Sequence, residues 1–461
     1  MNKTELVAAL AEKTQLPKKN AELALNAVVE VITESLSKGD KVQIVGFGSF
    51  EVKDRPERIA RNPQKPRFVG GSMGPTSHTL SMSADVDNPG ARAFTFEQLS
   101  QAYYDQARGL MDGGVDLLML ETVFDALNAK AAIFAIESLF AERGMRLPVI
   151  VSGTLTSSGR TLAGQTIEAF YTSVAHAEPL AVSLNCSFGA KALLPYLERL
   201  AAVSEFRVAV YPNAGLPNVM GGYDETPAMF AADVEEYMRR GLVNLVGGCC
   251  GTTPAHIAAL VNKCRNVVPW QRSCDLTAVA AYGSAVVIGQ KPVIIGERIN
   301  PTGKPRLKQA ILNGDYDYIC RLGLEQIDRG AGILDVNVGV PGIDEAAVSA
   351  EAVQRLQAIT SVPLQIDTSN YEAMARSLRL YNGKPLLNSV CGKEESLEKV
   401  LPLVKKYGAA VVALTLDDSG IPQTAEGRIA IAEKIIARAA EYGIEKRNII
   451  VDPLALTIST G

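Results

Sequence analysis

The sequence predicts an α/β protein made of two successive (β/α)8 TIM-type barrels, each two strands short, behind a small α+β segment. Two observations support this prediction. From Phe68 onward, short continuous apolar runs alternate with amphipathic stretches of helical period, a pattern typical of parallel strands buried on both faces. The alternation stops once, over residues 267–290, and then begins again. We therefore expect two domains of this type joined by a linker.

The composition fits about three domains and excludes several protein classes. Hydrophobic residues make up 47% of the 461 residues and charged residues 21%, which excludes wholesale disorder, and the formal net charge of -4 indicates no strongly charged partner. No apolar run reaches the roughly 20 residues of a membrane helix, and no signal-peptide pattern opens the chain. We therefore expect a cytoplasmic protein without a membrane partner. The seven cysteines, two of them adjacent, fit reduced thiols or metal ligands better than disulfides.

Residues 1–64 form the α+β segment. A capped helix opens at Asn2, a second helix runs from Pro17 to Lys38, and two strand-like runs follow at 41–45 and 49–52. From Lys53 to Arg67, six Lys or Arg residues stand against two acids. This local surplus of positive charge is typical of an arm that contacts phosphates.

Residues 65–266 carry the first strand series and residues 291–461 the second. The first is predicted to hold strands at 68–71, 116–120, 148–152, 181–184, 207–211 and 242–246. The second is predicted to hold strands at 293–295, 333–336, 363–366, 385–387, 410–414 and 449–451. Because a barrel of this type closes with eight strands, we expect the first domain to lack its opening two strands and the second its closing two.

Three cysteines follow strands of the first series. Cys186 ends the run Ser-Leu-Asn-Cys, and Cys249 and Cys250 lie in Val-Gly-Gly-Cys-Cys-Gly-Thr-Thr-Pro. Three thiolates at strand ends would hold zinc with a fourth position open, as in catalytic sites, and metal coordination would promote ionisation of a substrate thiol for attack on a methyl group. The spacing leaves equally open that these are small core residues. The flanking glycines favour close approach of a ligand.

The run from Lys65 to Val261 resembles the homocysteine-binding barrel of the methionine synthase family, a fold shared with betaine-type S-methyltransferases. The resemblance rests on Gly-Ser-Met-Gly-Pro-Thr, Leu-Glu-Thr-Val-Phe-Asp-Ala-Leu-Asn-Ala-Lys, Pro-Asn-Ala-Gly-Leu-Pro-Asn and the Cys-Cys segment. It implies that Cys186, Cys249 and Cys250 are zinc ligands and that Glu121 accepts a hydrogen bond from the ammonium group of homocysteine. The family's Asp-Gly-x-Met-Gly-Thr and Glu-Thr-Asn-Thr-Phe motifs do not occur here, so we expect impaired homocysteine binding.

Acidic and amide residues end five strands of the second series. They lie in Gly-Glu-Arg-Ile-Asn-Pro-Thr-Gly, Asp-Val-Asn-Val-Gly, Ile-Asp-Thr-Ser, Leu-Asn-Ser-Val and Val-Asp-Pro-Leu. Carboxylates and amides suit the paired N–H donors and the carbonyl of a pterin edge. Each residue alone is better explained as a helix N-cap, but five at the same point of the repeat favour a common ligand.

Residues 291–461 resemble the folate-binding barrel of the methionine synthase family, which is related to dihydropteroate synthase. The resemblance implies methyltetrahydrofolate as methyl donor, with pterin contacts from Asn300, Asp335, Asn337, Asp367, Asn388 and Asp452 and with Glu297 nearby. In the family, the methyl group passes through cobalamin, held on a separate domain whose Asp-x-His-x-x-Gly signature does not occur here. The implied activity is a cobalamin-dependent homocysteine S-methyltransferase of the methionine synthase type, impaired by the incomplete barrels.

Residues 1–64 resemble the bacterial HU family through Lys-Gly-Asp-Lys-Val-Gln-Ile-Val-Gly-Phe-Gly-Ser-Phe-Glu-Val and Arg-Asn-Pro-Gln. The resemblance implies DNA contacts from Arg55, Arg58 and Arg61, with Pro63 as the wedge between base steps. The family pattern ends after Gln64, so a solvated basic linker is an equal alternative. The alternative function is therefore an HU-like DNA-bending protein fused to a non-functional barrel remnant, and a third interpretation is that the junction is an artefact of recombination.

Overall fold

The computed structural model describes residues 3–38, 42–44, 48–50, 67–83, 92–264 and 275–455. The chain divides into two compact units, Met1–Phe68 and Val69–Gly461. In the first unit, helices α1 (Lys3–Thr14) and α2 (Lys18–Ser37) precede an antiparallel pair of strands, β1 (Val42–Ile44) and β2 (Gly48–Phe50). This order of elements is the predicted one. The predicted DNA contacts Arg55, Arg58, Arg61 and Pro63 lie outside the described residues.

The second unit opens with a parallel sheet of six strands in chain order. The strands are β3 (Gly70–Met73), β4 (Leu117–Val123), β5 (Val149–Gly153), β6 (Ala181–Gly189), β7 (Arg207–Asn213) and β8 (Leu245–Val246). The helices between and after them are α3 (Phe96–Asp112), α4 (Ala126–Arg143), α5 (Ile167–Val174), α6 (Ala190–Val203), α7 (Pro227–Arg239) and α8 (Pro254–Cys264). The mostly parallel α/β architecture is thus confirmed. Among the described residues, β3 and β8 are the edges of this sheet, so no closed ring is observed.

Local sequence explains where the helices of this first sheet begin and end. Thr95 caps α3 through a capping box with Gln98, and Asp125 caps α4 through its carboxylate. Helix α4 ends at Gly144, whose φ of 61° is the left-handed conformation that glycine adopts at low cost. Most of α4 is buried, because it is covered on more than one side. These caps fix α3 and α4 against the strands that carry the polar residues.

A β-hairpin over residues 277–288 occupies half of the predicted linker at 267–290. Strands β9 (Thr277–Ala280) and β10 (Ala285–Ile288) pair antiparallel, and Ala280 bridges Lys384. Val279 is fully buried. It packs against residues of parallel strands that come later in the chain, namely Ile333, Leu386, Ala410 and Val412. The runs are too short to stand out in the sequence, and their burial depends on a sheet that forms later in the chain.

A second parallel sheet of six strands follows, again in chain order. Its strands are β11 (Ile295–Ile299), β12 (Ile333–Val336), β13 (Leu364–Asp367), β14 (Leu386–Cys391), β15 (Ala410–Leu414) and β16 (Ile449–Asp452). Its helices are α9 (Pro305–Asn313), α10 (Tyr316–Asp328), α11 (Glu345–Ile359), α12 (Tyr371–Leu380), α13 (Glu394–Tyr407) and α14 (Ala425–Glu441). The predicted number of strands is confirmed. Within the described residues, no helix is both long and apolar enough to cross a membrane.

The two sheet domains of the second unit are joined by direct contacts. The buried Nζ of Lys130, on α4, donates to the carbonyl oxygens of Tyr381 and Gly383, at 2.9 Å each. The ring of Phe134 stacks on Tyr407 with 6.0 Å between centroids. These contacts explain why α4 is buried on more than its sheet-facing side. The side chain of Lys130 was not predicted to be buried, since lysine is rarely found there.

Candidate functional site

Cys186, Cys249 and Cys250 converge at the carboxyl ends of β6 and β8, the two strands that flank β7. The sulfur of Cys186 lies 3.7 Å from that of Cys250, and the sulfurs of Cys249 and Cys250 are 3.9 Å apart. All three sulfurs lie within 4.8 Å of one another, and none is in a disulfide. Cys186 and Cys249 are half-buried and Cys250 is exposed, so the alternative that all three are small buried core residues is wrong.

Irregular backbone at the end of β6 presents Cys186 to the cluster. The pairing of β6 with β7 is interrupted between Asn185 and Gly189, and Cys186 and Ser187 have φ angles of 61° and 60°. This left-handed region is uncommon for residues other than glycine, and such conformations concentrate at functional sites. In a regular strand, successive side chains point to opposite faces of the sheet. Cys186 and Ser187 depart from the hydrogen-bonded ladder, so this alternation does not apply to them.

The Cys249-Cys250 pair is held by hydrogen bonds to the end of β7. The amide of Cys249 donates to the carbonyl of Pro212 at 2.8 Å, and the amide of Cys250 donates to Oδ1 of Asn213 at 3.1 Å. Gly251 follows with a φ of 78°, and a Cβ there would stand 2.2 Å from Cγ of Tyr223. Glycine is thus required at this turn both by conformation and by the aromatic ring packed on it.

Asn185 connects the cysteine cluster to the strands beneath it. Its Oδ1 accepts hydrogen bonds from the amide of Thr122 at 3.0 Å and the hydroxyl of Ser152 at 2.7 Å. Its Nδ2 donates to Oγ1 of Thr122 at 2.9 Å and points at the sulfur of Cys249 at 3.8 Å. Asn185 is only 1% exposed, and both the oxygen and the nitrogen of its side-chain amide are hydrogen-bonded. It was not among the predicted site residues, although a buried asparagine directly before Cys186 was a signal for it.

The surroundings of Cys249 oppose ionisation of its thiol. Burial, together with the charges of Cys186 and Cys250, raises the pKa of Cys249 to about 12, while a hydrogen bond from the Asn185 amide acts in the opposite direction. Without a cation nearby, Cys249 is therefore a neutral thiol at neutral pH. Metal ligands are thiolates rather than thiols. A bound cation would therefore favour loss of the thiol protons and offset the negative charge of the sulfurs.

Glu121 lies near the end of β4, the strand next to β3 and β5. The hydroxyl of Ser72, on β3, donates to its carboxylate. Burial, with the nearby charge of Glu121 as a second cause, raises the pKa of the Tyr211 hydroxyl on β7 to about 12. Glu121 therefore lies close to residues of β3 and β7 at the carboxyl end of the sheet. Ser72 and Tyr211 were not predicted as neighbours of this carboxylate.

In the second sheet, Asp335, Asn337 and Asp367 form one polar cluster at the ends of β12 and β13. Nδ2 of Asn337 donates to Oδ2 of Asp367 at 3.0 Å, and Nε2 of Gln365 donates to Asp335. Asp335 is 3% exposed. Burial, followed by the charge of Asp367, raises its pKa to about 7. Gln365 was not predicted, because its role depends on pairing with the neighbouring strand.

Two matches with protein families bear on this geometry. A family model described as homocysteine S-methyltransferase matches residues 14–264, more than half of the chain. The chain belongs to the homocysteine S-methyltransferase family. A second model, described as pterin binding enzyme, matches residues 296–461. This member of the family therefore also carries a pterin-binding domain, and its first match begins inside the segment predicted to resemble HU.

Solved structures similar to this homocysteine S-methyltransferase family member include a homocysteine methyltransferase and two dihydropteroate synthases. The apo homocysteine methyltransferase MmuM from Escherichia coli is 24% identical with a TM-score of 0.33, and the match covers 44% of this chain and 66% of that one. Dihydropteroate synthase from Xanthomonas albilineans, in complex with indole-2-carboxylic acid and 6-chloroguanine, is 24% identical with a TM-score of 0.29, covering 39% and 65%. The 7,8-dihydropteroate synthase from Vibrio fischeri is 15% identical with a TM-score of 0.30, covering 38% and 66%. The chain thus covers slightly less than two thirds of these proteins.

The remaining predicted pterin residues of this family member are arranged less closely. The charge of Glu297 contributes to the raised pKa values of Asp335 and Asp367, and its carboxylate pairs with Lys304 at 3.4 Å. The side chains of Asn300 and Asp452 accept hydrogen bonds from the nearby amides of Thr302 and Leu454, at 3.0 and 2.8 Å. These two bonds form local turns of the Asx type. Among the described residues, no hydrogen bond joins the side chain of Asn388 to this cluster.

Proposed function

We propose that this chain is a methionine synthase-type S-methyltransferase, with Cys186, Cys249 and Cys250 holding a zinc ion that receives homocysteine. The spacing of the sulfurs carries the proposal. Two thiolates bound tetrahedrally at about 2.3 Å from zinc stand about 3.8 Å apart, and the observed separations are 3.7 and 3.9 Å. Three protein thiolates leave one tetrahedral position for a substrate thiol, the arrangement of a catalytic rather than a structural site.

The protein's own groups position the substrate in this proposal. When bound, the zinc lowers the pKa of the substrate thiol so that the nucleophilic thiolate forms near neutral pH. The Asn185 amide keeps the Cys249 sulfur in place through its contact at 3.8 Å. Glu121 accepts hydrogen bonds from the ammonium group of homocysteine, and Ser72 holds its carboxylate in orientation. The thiol and the ammonium group would thus be fixed by different strands, which aligns the sulfur for attack.

The second domain supplies the methyl donor in this proposal. We infer that the Asp335, Asn337 and Asp367 cluster reads the pterin edge of 5-methyltetrahydrofolate, since paired carboxylates accept the N–H groups of that edge. Asn337 fixes Asp367 through its bond of 3.0 Å. Glu297, Asn300, Asn388 and Asp452 would line the rest of the pocket. The methyl group would reach homocysteine through cobalamin held by a separate domain, whose signature this sequence lacks.

Both described sheets have six strands where a closed barrel of this type has eight. Open edges leave backbone groups unpaired and reduce the enclosure of a bound substrate. We therefore expect slow turnover compared with a complete barrel.

Two half-reactions with added cobalamin test the proposal. In the first, the zinc-loaded chain transfers methyl from methylcobalamin to homocysteine, giving methionine and cob(I)alamin; in the second, cob(I)alamin takes the methyl group of 5-methyltetrahydrofolate. We expect Cys250→Ala to abolish the first and spare the second, and Asp335→Ala to do the reverse. Equal rates for Cys250→Ala and the unchanged chain in the first reaction would remove the methyltransferase assignment.

DNA binding is a second candidate function, favoured by the surplus of positive charge between Lys53 and Arg67. We propose Arg55, Arg58, Arg61 and Pro63 as its contacts. A protein that neutralises phosphates releases counterions, so its affinity for a DNA duplex falls steeply as salt rises. A duplex affinity independent of salt would exclude this candidate.

A further inference from the structure

A cavity of about 580 Å³ lies between the two sheet domains of residues 69–461. This volume is in the range of pockets that hold small organic ligands. Its walls come from the start of α3 and the segment before it on one side, and from α11, α12 and the residues after α12 on the other. It is separate from the cysteine cluster and from the cluster of Asp335 and Asp367, none of whose residues line it. The inference is therefore independent of the proposed function.

The cavity contains a buried polar group without a partner. Asn382, which follows α12, is 6% exposed, and its Oδ1 has no hydrogen-bond partner among the described residues. Its backbone is fully used: the amide donates to Oε1 of Gln357 at 2.7 Å, and the carbonyl accepts from Nε2 of Gln165 at 3.1 Å. The backbone thus holds the side chain at the cavity wall. A buried amide without a partner is costly. Its Oδ1 has almost no accessible surface, so a ligand pairs with this amide through Nδ2, for which the described residues show no hydrogen bond.

The charge around the cavity is positive by one unit. Three arginines line it, Arg92, Arg376 and Arg379, against the two acids Glu97 and Glu372. Arg379 is paired with Glu97 at 2.7 Å, and Arg92 donates to the carbonyl of Leu80. Arg376 is exposed and has no ion pair or hydrogen bond within the part of the chain that the structure describes. Its guanidinium is therefore available to an anionic ligand, for which the planar fork of arginine is suited.

The rest of the wall is apolar and partly aromatic, with Phe94, Phe96, Leu127 and Leu380 as its larger side chains. From these three features, we propose that the cavity binds a small aromatic amide that carries a carboxylate. The ring lies against the apolar wall, the amide pairs with the side chain of Asn382, and the carboxylate pairs with Arg376. A ligand seated here contacts both sheet domains and stabilises their association.

Hippurate, which has a benzene ring, one secondary amide and one carboxylate, is the probe for this proposal. Its binding to the full chain is measured by saturation-transfer NMR and titration calorimetry. Two analogues divide the contacts: 4-phenylbutyrate lacks the amide, and hippuramide lacks the carboxylate. We expect saturable binding of hippurate and weaker binding of both analogues.

Substitutions assign the contacts to residues. Asn382→Leu removes an amide whose Oδ1 has no partner among the described residues, so we expect the fold to tolerate it; hippurate should bind about tenfold more weakly and 4-phenylbutyrate unchanged. Arg376→Ala weakens hippurate but not hippuramide. Ala358→Trp, at an exposed position of the cavity wall, blocks all three probes. Arg108→Ala, an exposed arginine away from the cavity, is the matched control.

Two outcomes overturn the proposal. One is no saturable binding of hippurate at millimolar concentration to a chain whose thermal unfolding is cooperative. The other is binding with the same dissociation constant in the unchanged chain, Asn382→Leu, Arg376→Ala and Ala358→Trp, since a surface association would ignore all three changes.

Discussion

Nδ2 of Asn185 lies 3.8 Å from the sulfur of Cys249, although the two residues are 64 positions apart in the chain. The same amide accepts from the Thr122 amide and the Ser152 hydroxyl. One buried side chain therefore joins the cysteine cluster to strands β4, β5 and β6. The arrangement of the three sulfurs therefore depends on hydrogen bonds within the sheet as well as on the positions of the cysteines.

Replacing Asn185 with leucine tests this relationship. Asn185→Leu leaves the buried hydroxyl of Ser152 and the half-buried amide of Thr122 without their acceptor, so we expect the free energy of unfolding to fall by about 2–4 kcal/mol. Urea unfolding followed by circular dichroism measures it. Asn313→Leu, at the exposed end of α9, is the matched control and should change stability by about 0.5 kcal/mol or less. Equal stability of the two variants would contradict the role assigned to Asn185.

Glu121→Gln tests recognition of the amino group. The substitution keeps the shape of the side chain and removes the charge that attracts an ammonium group, so we expect homocysteine to bind about tenfold or more weakly. Titration calorimetry with homocysteine on zinc-loaded protein measures this, and zinc content should not change. Glu137→Gln, which removes the charge of an exposed ion pair with Arg146, is the control. A homocysteine affinity as strong as that of the control would show that Glu121 does not hold the substrate.

Asp335 predicts a particular dependence of stability on pH. Its pKa in the folded protein is about 7, above the ordinary 3.8, chiefly because it is buried. Between these pH values the folded state binds more protons than the unfolded state, so the free energy of unfolding falls as pH rises from about 4 to 7. We expect Asp335→Asn to flatten this fall without abolishing it, because the pKa of Asp367 is raised too.

Urea unfolding at several pH values between 4.5 and 7.5 measures the effect. Asp418→Asn, at an exposed position, is the control and should keep the slope of the unchanged chain. If Asp335→Asn also keeps that slope, Asp335 ionises in the folded protein as it does in the unfolded one.

Lys130 gives a prediction for the contact between the two sheet domains. Lys130→Met leaves the carbonyls of Tyr381 and Gly383 without their buried donor, and we expect a loss of about 2 kcal/mol of stability. Lys405→Met removes an ion pair between the same domains, with Glu178, that is far more exposed; it should cost about 0.5 kcal/mol or less. Differential scanning calorimetry compares the two. A larger loss of stability for Lys405→Met would mean that the exposed ion pair contributes more to the association of the two domains than the buried hydrogen bonds of Lys130.

The strands were predictable because the apolar runs that mark them in the sequence are also what drives their burial. The runs at 333–336 and 410–414 match β12 and β15 residue for residue, and the others agree within a few positions. The three cysteines were predictable for a related reason, since side chains at the carboxyl ends of parallel strands meet at one edge of the sheet. For the same reason Asp335, Asn337 and Asp367 were expected to meet, and they do.

Features that depend on contacts distant in sequence were missed. Val279 of β9 is buried because the later sheet covers it, so the short runs of β9 and β10 carried no signal of their own. Asn185 and Gln365 were missed because the partners of their side chains lie on other strands, far away in the sequence. The sequence also gave no indication that Lys130 is buried, because its two acceptors are backbone carbonyls about 250 residues away.

Zinc K-edge X-ray absorption on the purified chain, together with metal analysis, tests the central claim most directly. We predict one zinc per chain with three sulfur ligands at about 2.3 Å, and loss of that zinc in Cys250→Ala but not in Cys264→Ala, whose sulfur lies outside the cluster. A zinc stoichiometry unchanged by Cys250→Ala, or a bound ion without sulfur ligands, would contradict it.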